Sequence, residues 1–224
     1  LHLGVGVATP FTRHPAVLAM ATATLDRITG GRFTLGLGRS DKSVIQDRLG
    51  IPYSDPLGKL QEAVALLRAL LAGAPVTHND AATRLTDVRL AIPPVQTPVP
   101  IYLAAIGPRA LRLVGTVADG ALLNAYVPIP YIKWAIEEIR KAAQVVKRDP
   151  SLVQITCMLP IRLTDDPESI WPGLKQRIIR LLQEPYVGEI LLEKGGFDPS
   201  ILPELRTLAT AGNSDAAAGL ISDH

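Results

Sequence analysis

The chain has 224 residues, of which 47% are hydrophobic and 20% charged, and its formal net charge is +2. These values are typical of a globular protein with a thick apolar core. No basic run is longer than Lys147-Arg148, and no apolar stretch approaches the roughly 18 to 20 residues that cross a bilayer, so neither nucleic acid nor a membrane is an expected partner. No signal peptide is recognised, and we expect a cytoplasmic protein.

The cysteine and histidine content argues against a disulfide and a metal site. The single cysteine, Cys157, excludes an internal disulfide and a thiolate metal cluster. Because Cys157 lies in the apolar run 155–159, we expect a buried structural thiol. The four histidines show no ligand spacing, so no metal site is predicted.

The first 42 residues are predicted to form a βαβ unit. An apolar strand around Val5 leads to a helix over 15–28, which should end at Gly30-Gly31, and a second strand starts at Phe33. Parallel strands joined by a helical crossover are buried on both faces, and their continuous apolar character fits this burial.

The rest of the chain continues this alternation and then becomes helical. Asp55-Pro56 predicts a helix that ends at Gly73, and 76–92 suggests a short hairpin or an extended excursion off the main sheet. Further strands are predicted over 101–105, 121–124 and 153–163. Helices are predicted over 108–118, 130–146, 168–182, 199–209 and 214–223, with Asp119-Gly120 closing the first of them and Gly195-Gly196 in a loop. The alternation favours an α/β fold with right-handed crossovers.

Small residues cluster at the carboxyl ends of the predicted strands. The sequence GVATP begins at Gly6, GLGRSDK begins at Gly36, and the turn at Gly107-Pro108 opens a helix. In βα-barrels this rim is where ligands bind. A residue without a side chain lets backbone approach an anion, and a helix N-terminus supplies unpaired N–H groups. Close packing at strand ends is the alternative explanation of Gly6, Gly36 and Gly38.

Four segments carry a specific resemblance: LGVGVATPFTRHPAVLAMATATLDRITGGRFTLGLG, SDKSVIQDRLGIPYSDP, IPPVQTPVPIYLAAIGPRALRLVG and ADGALLNA. Together they resemble the luciferase-like monooxygenase superfamily, and within it the F420-dependent branch of methylenetetrahydromethanopterin reductase. The resemblance implies a (β/α)8 TIM-barrel-like fold that is incomplete, with strands equivalent to the third to seventh present and the first two and the last missing. It implies one partial domain over 1–224, with a βα core (1–163) and a helical insertion region (164–224).

The resemblance also implies a cofactor, coenzyme F420 with FMN as the alternative, at the carboxyl rim. Gly6-Val7 matches the position where many F420-dependent members have a non-proline cis peptide behind the deazaflavin ring. The implied cofactor-binding residues are Gly6, Val7, Ala8, Thr9, Gly38, Arg39, Ser40, Asp41, Lys42, Ala105, Ile106, Gly107 and Asn124. Of these, 38–42 would lie against the ribityl phosphate region, and 105–107 would donate backbone N–H groups to phosphate. Asp41 and Lys42 have a plain alternative as a solvated surface pair.

The implied function is an oxidoreductase that transfers hydride between a deazaflavin or flavin ring and a small organic substrate, in a protein expected to be a homodimer. The acidic and histidine residues of the family's first two strands have no counterpart, so no catalytic residue is assigned. The alternative is a non-catalytic, truncated flavin-binding or interaction protein of the same fold. A phosphate-binding isomerase or aldolase would need a lysine or carboxylate pair at strand ends, and a flavodoxin-like sheet would need a loop richer in Ser and Thr than VATPFT.

Overall fold

In the computed structural model, which describes residues 1–80 and 83–221, the main element is an open, five-stranded sheet. The strands in chain order are β1 (Leu3–Ala8), β2 (Phe33–Leu37), β3 (Val76–Asn79), β4 (Arg84–Val88), β5 (Ile101–Ala104), β6 (Gly120–Leu123) and β7 (Gln154–Cys157). The sheet order is β1-β2-β5-β6-β7, and β1, β2, β5 and β6 pair in parallel. The remaining strands, β3 and β4, form an antiparallel hairpin within the predicted segment 76–92. The predicted α/β class is therefore confirmed.

The helices connect and follow these strands. They are α1 (Pro15–Ile28), α2 (Pro56–Leu71), α3 (Pro108–Val117), α4 (Ile129–Val145), α5 (Trp171–Gln183), α6 (Val187–Gly195), α7 (Leu202–Thr210) and α8 (Ser214–Gly219). A π-helix spans Ser43–Arg48, and single 3-10 turns occur at Pro150–Leu152, Pro167–Ile170 and Pro199–Ile201. The end of the predicted helix over 214–223 lies outside the described residues. Within the described residues, no helix combines the length and apolar composition that a bilayer span needs.

The helix α1 begins and ends where the sequence predicts. Its first residue is Pro15, and Nδ1 of His14 accepts a hydrogen bond from the backbone N–H of Ala16 (3.3 Å), as a helix cap does. At the other end Gly31, with φ +74, donates its N–H to the carbonyl of Asp26 (2.9 Å). This bond satisfies a carbonyl of the last turn, and the left-handed conformation that it needs suits glycine.

A buried carboxylate connects α1 to the chain before β5. The residue Asp26 has no exposed surface, and its Oδ2 accepts the backbone N–H groups of Val95 (2.6 Å) and Gln96 (2.8 Å). The side-chain amide of Gln96 donates to Oδ1 of Asp26 (2.6 Å) and to the carbonyl of Phe33 (2.8 Å). Helical periodicity does not predict this role, because an acidic residue on an amphipathic helix normally faces water.

The strand β7 is shorter than predicted, since the sequence indicated a strand over 153–163. It ends at Cys157, and the next six positions, 158–163, lie outside any strand with Leu159, Ile161 and Leu163 exposed at 79%, 81% and 94%. Pro160 lacks the N–H that a ladder requires, which explains why an apolar run does not continue as a strand. Cys157 is exposed at the strand end, so the prediction of a buried thiol was wrong.

The helix α6 was not predicted, because Gly195-Gly196 indicated a loop. The structure places Gly195 at the end of α6 and Gly196 at its cap with φ +82. A side chain at Gly188, in the first turn, would come within 2.5 Å of the carbonyl oxygen of Leu182. The helix contains glycine at this position because another segment packs closely against it, which periodicity alone does not reveal.

The pair Asp119-Gly120 has a different place from the predicted end of a helix. The helix α3 ends at Val117, and Gly120 is the first residue of β6. The Oδ2 atom of Asp119 accepts the backbone N–H of Ile101 (2.8 Å) and pairs with Arg68 (2.8 Å). The role of Asp119 is structural, as expected, but it stabilises the start of β5 and does not end a helix.

The described chain divides into two compact units. The first contains residues 1–105, 109–122 and 138–156, and the second contains 106–108, 123–137 and 157 onward. The second unit has its own apolar cluster, formed by Ile179, Leu182, Leu192, Leu202, Leu205 and Ala217.

Candidate functional site

The main sheet has two different faces in the first unit. The pairs Leu35↔Ile101 and Leu37↔Leu103 lie on one face, where all four side chains are almost fully buried. Side chains alternate along a strand, so Gly36, which pairs with Tyr102, lies on the opposite face. That face also carries Ala104 and its partner Leu122, which are only partly buried.

The opposite face has little side-chain bulk at the carboxyl end of β2. A side chain at Gly38 would place its Cβ 2.5 Å from Cγ2 of Val7 and 3.6 Å from Cβ of Ala104, and one at Gly36 would collide with the backbone carbonyl of Val5. The side chain of Val7 therefore lies against the two glycines and remains 38% exposed. These residues form an open, apolar shelf, which we call the glycine face and define as Gly6, Val7, Gly36, Gly38 and Ala104.

The strand β1 is irregular where it joins this face. Its register against β2 shifts between Val5 and Ala8, and the peptide bond between Gly6 and Val7 is cis, as the family resemblance implies. A side chain at Gly6 would lie 3.1 Å from Cδ2 of Leu122, which is tighter than ordinary contact. Beyond the bulge, the N–H of Gly38 donates to the carbonyl of Ala8 (2.9 Å) and restores the ladder.

Two aromatic residues organise the loops that follow β1 and β2. The rings of Phe11 and Tyr53 stack with centroids 4.7 Å apart. The hydroxyl of Tyr53 donates to the carbonyl of Ser40 (3.0 Å), a residue with φ 59, and receives a hydrogen bond from Nη1 of Arg39 (3.2 Å). Sequence reasoning named Arg39 and Ser40 but missed Phe11 and Tyr53.

The other predicted residues of these two loops serve mainly as local supports. The hydroxyl of Thr9 accepts the N–H of Phe11 (3.4 Å). The carbonyl of Asp41 accepts the N–H groups of Val44 (3.1 Å) and Ile45 (2.9 Å) and so starts the π-helix. The side chains of Asp41 and Lys42 are exposed, which leaves both the cofactor role and the surface role open to experiment.

The predicted phosphate turn follows β5 directly in the chain. Ala105 is buried, and the carbonyl of Ile106 accepts the hydroxyl of Tyr131 (2.7 Å). Burial, with a smaller contribution from Cys157, raises the pKa of Tyr131 above its usual range, so this phenol stays protonated as a donor. At Gly107 the nearest atom to an added Cβ would be Cδ1 of Ile190 at 3.8 Å, so the turn has free space beside it.

The remaining predicted residue, Asn124, follows β6. Its side-chain oxygen accepts the N–H of Ala125 (2.9 Å), and its carbonyl accepts the thiol of Cys157 (3.4 Å). Partial burial raises the pKa of this thiol, which disfavours a thiolate nucleophile.

A tyrosine that sequence reasoning missed lies on the same sheet face as the glycine face. Tyr102 pairs with Gly36 and Gly120, and its ring lies 2.8 Å from the position of a Cβ at Gly120. Burial, and then the negative charge of Asp119, raises the pKa of Tyr102. The phenol is therefore neutral at physiological pH and can only donate or accept a hydrogen bond.

A group of potential metal ligands connects α2 with the hairpin, although the sequence showed no ligand spacing. Ligand atoms of Glu62, His78 and Asp80 lie within 4.8 Å of one another. His78 Nε2 and Glu62 Oε1 are already hydrogen-bonded (2.8 Å), and the ammonium of Lys59 lies 3.7 Å from Glu62 Oε2. Glu62 therefore already has two partners, His78 and the ammonium group of Lys59, and the cluster forms an ion-pair network without a metal ion.

The open parallel sheet and its bare carboxyl end define the class of protein. They are features of an incomplete βα-barrel, a fold in which ligands generally bind at the carboxyl ends of the strands. The sequence profile described as luciferase-like monooxygenase matches residues 1–220. The chain belongs to this family.

Similar proteins agree with this placement. The chain is 30% identical, over 224 residues, to the 5,10-methylenetetrahydromethanopterin reductase of Methanolobus tindarius, a match that covers 100% of the chain and 67% of that protein. It is 36% identical over 171 residues to the F420-dependent glucose-6-phosphate dehydrogenase of Beutenbergia cavernae, covering 74% of the chain and 50% of the relative. The coenzyme F420 dependent tetrahydromethanopterin reductase structure from Methanopyrus kandleri superimposes with a TM-score of 0.83 at 24% identity, over 100% of this chain and 67% of that one. The chain therefore spans between half and two thirds of the length of these relatives.

Proposed function

We propose that the protein is an F420-dependent oxidoreductase that transfers hydride between the deazaflavin ring and a small organic substrate. The observation that carries this proposal is the glycine face, where Val7 packs onto Gly36 and Gly38 and still exposes 38% of its surface, so that it offers a flat ring an apolar contact. The names of the relatives support the choice of F420, and FMN is the alternative cofactor.

We propose a role towards such a cofactor for each of the implied residues. Gly6 and Val7 would back the ring, since both lie in the bulge on the glycine face. The segment 38–42, held by Tyr53, would lie along the ribityl chain with Thr9 nearby. The N–H groups of 105–107 would bind phosphate, because unpaired N–H groups and the α3 dipole favour an anion there. Asn124, in the second unit, stays a proposed cofactor-binding residue.

The bound deazaflavin would supply the hydride chemistry itself. This chain would supply an apolar surface at Val7 that excludes water from one face of the ring, and a fixed orientation through backbone contacts. Among the described residues, Tyr102 is the one titratable group that we place on the ring-binding face of the sheet. Its pKa is raised, so the phenol stays neutral, and we assign no acid or base to proton transfer.

The test is titration of the purified protein with F420 and with FMN, followed by cofactor fluorescence. We expect saturable binding of F420 that is tighter than that of FMN, and Gly38→Val should abolish both while Gly173→Ala, a change into open space, should not. If FMN alone binds saturably, the cofactor assignment changes from F420 to FMN. Absence of binding for both cofactors would overturn the proposal and favour the non-catalytic alternative.

We also propose that the protein is a cytoplasmic homodimer, and that residues 1–163 and 164–224 are the βα core and helical insertion region of one partial barrel. Exposed apolar side chains on α1 support an interface between copies: Val17, Met20 and Ile28 are 55%, 60% and 75% exposed. Sedimentation equilibrium should give twice the chain mass of 24.0 kDa. A monomer that transfers hydride would contradict both the dimer and the non-catalytic alternative.

A further inference from the structure

The cluster of Glu62, His78 and Asp80 brings together one imidazole and two carboxylates within the first unit. Glu62 lies on α2, His78 lies on β3, and Asp80 directly follows β3. Side chains alternate along an extended chain, so two residues that are two positions apart are expected on the same side. The ligand atoms of all three lie within 4.8 Å of one another. The histidines alone show no ligand spacing because the other two ligands are acidic residues.

The three donors suit a divalent transition metal. Zn²⁺ is commonly bound by imidazole nitrogen together with carboxylate oxygen, whereas Ca²⁺ and Mg²⁺ prefer sites made of oxygen alone. Two carboxylates also balance the charge of a divalent ion that is bound by a neutral imidazole. Three protein ligands leave at least one coordination position to water. We therefore expect a moderate affinity, below that of a closed site with four protein ligands.

The distances in the cluster are close to those of a zinc site. Ligand atoms that lie about 2.0 to 2.2 Å from a tetrahedral ion are about 3.4 Å apart. The separation of His78 Nε2 and Glu62 Oε1 would lengthen from 2.8 to about 3.4 Å. The widest separation in the cluster would shorten from at most 4.8 to about 3.4 Å. Small rotations of the side chains are enough for both changes, and the exposed Asp80 has room for them.

The groups around the cluster leave its ligand atoms accessible to an ion. The ammonium of Lys59 lies 3.7 Å from Oε2 of Glu62, the oxygen that is not bonded to His78. Lys59 also donates to the hydroxyl of Thr83 (3.0 Å), so it keeps a partner when Glu62 binds an ion. Oδ1 of Asp80 accepts the N–H of Thr83 (2.9 Å), and a carboxylate has acceptor sites besides the one used by such a bond.

We propose that Glu62, His78 and Asp80 bind one Zn²⁺ ion, which connects the β3–β4 hairpin to α2. The ion takes the place of the hydrogen bond between His78 and Glu62. Because it binds the folded protein, it raises the melting temperature. The inference goes beyond the proposed function and does not depend on it, since neither the cofactor nor the substrate takes part.

The experiment measures zinc binding to the whole protein, after treatment with a chelator, by isothermal titration calorimetry. The melting temperature is measured with and without Zn²⁺. We expect one ion per chain, a dissociation constant in the micromolar range and a higher melting temperature with the ion. His78→Gln should weaken binding at least about tenfold and remove the thermal shift. His2→Gln removes an exposed histidine outside the cluster, so it is the matched control and should change neither.

A second variant separates metal binding from the stability of the hairpin. In Glu62→Gln the side-chain amide can still hydrogen-bond to His78, but the charge that the ion needs is lost, so zinc binding should weaken as it does in His78→Gln. The melting curve of each variant without Zn²⁺ shows that it is folded.

Three results would overturn the inference. The first is the absence of saturable zinc binding to the wild-type protein. The second is zinc binding that either His78→Gln or Glu62→Gln leaves unchanged, which would assign the ion to other surface groups. The third is binding of Mg²⁺ or Ca²⁺ as tight as that of Zn²⁺, which would exclude an imidazole ligand.

Discussion

The aromatic ring of Phe11 stacks on that of Tyr53, with centroids 4.7 Å apart and planes inclined by 29°. Phe11 belongs to the loop after β1, and Tyr53 reaches back by its hydroxyl to the carbonyl of Ser40 in the loop after β2 (3.0 Å). A single residue thus fixes two loops at the carboxyl ends of neighbouring strands.

We predict that Tyr53→Phe weakens F420 binding about three- to tenfold without unfolding the protein. The stack persists in this variant, but Ser40 and Arg39 lose their common partner and the loop is less well ordered for binding. Titration by fluorescence checks this, with melting temperature as the folding control. Tyr186→Phe, at a residue that is 81% exposed, should bind as the wild type does, and an unchanged affinity in Tyr53→Phe would contradict the role of the hydroxyl.

We predict that Gly38→Ala reduces the affinity for both F420 and FMN and lowers the free energy of unfolding by about 1 to 3 kcal/mol. The new methyl group would lie 2.5 Å from Cγ2 of Val7, so Val7 or β1 must move. Urea unfolding and cofactor titration measure the two effects. The matched control is Gly173→Ala in α5, where nothing lies within 4 Å of the added Cβ, and this variant should be as stable as the wild type or more so.

We predict that Asp26→Ala lowers the free energy of unfolding by about 2 to 3 kcal/mol, because it removes the fully buried carboxylate that accepts the partly buried N–H groups of Val95 and Gln96. Chemical denaturation provides the measurement. Asp47→Ala, at an exposed position of the π-helix, should change stability by less than about 0.5 kcal/mol. Equal losses in the two variants would mean that the Asp26 hydrogen bonds contribute nothing specific.

The ion pair of Glu189 with Arg206 predicts a pH-dependent effect in the second unit. Hydrogen bonds of 2.6 and 3.0 Å from Arg206 lower the pKa of Glu189 from 4.5 to about 2. A pKa lowered by folding stabilises the protein above the unfolded value, and this contribution is lost as the pH falls towards 2. We expect Glu189→Gln to cost about 1 kcal/mol or less at neutral pH, since the carboxylate is 45% exposed, and almost nothing near pH 2.

Urea titrations of the two proteins at several pH values measure this difference. Glu204→Gln serves as the control, because Glu204 is an exposed residue in the first turn of α7. Its effect on the free energy of unfolding should show no comparable dependence on pH. A constant difference between wild type and Glu189→Gln across the range would contradict the assignment.

The sequence predicted the α/β class and the bounds of α1 almost residue by residue, because helix caps and apolar runs are local signals. For 76–92 the sequence left two alternatives, a short hairpin or an extended excursion, and the structure has the hairpin. The length of β7 and the existence of α6 were not predicted, since they depend on a missing donor at Pro160 and on the close packing of Gly188. The proline is visible in the sequence, but the apolar run 153–163 was given more weight, whereas the packing at Gly188 is a contact between segments that the sequence pattern does not contain.

For the candidate site, the sequence identified the segments but not the residues that hold them. Gly6, Gly38 and Val7 could be named from strand ends and family resemblance, and they do lie together on one sheet face. Phe11 and Tyr53 carried no sequence signal, because an aromatic residue in a loop is common. Their importance follows from what they contact.

The edge of β1 has a practical consequence for anyone who purifies this protein. Within residues 1–80 and 83–221, β1 pairs with β2 on one side only, and Leu3 and Val5 are 50% and 37% exposed. An uncharged apolar strand with free N–H and carbonyl groups is a template for the same strand of another molecule. Concentrated samples should therefore aggregate on storage at a rate that rises with concentration. Val5→Lys should slow this aggregation, as measured by light scattering.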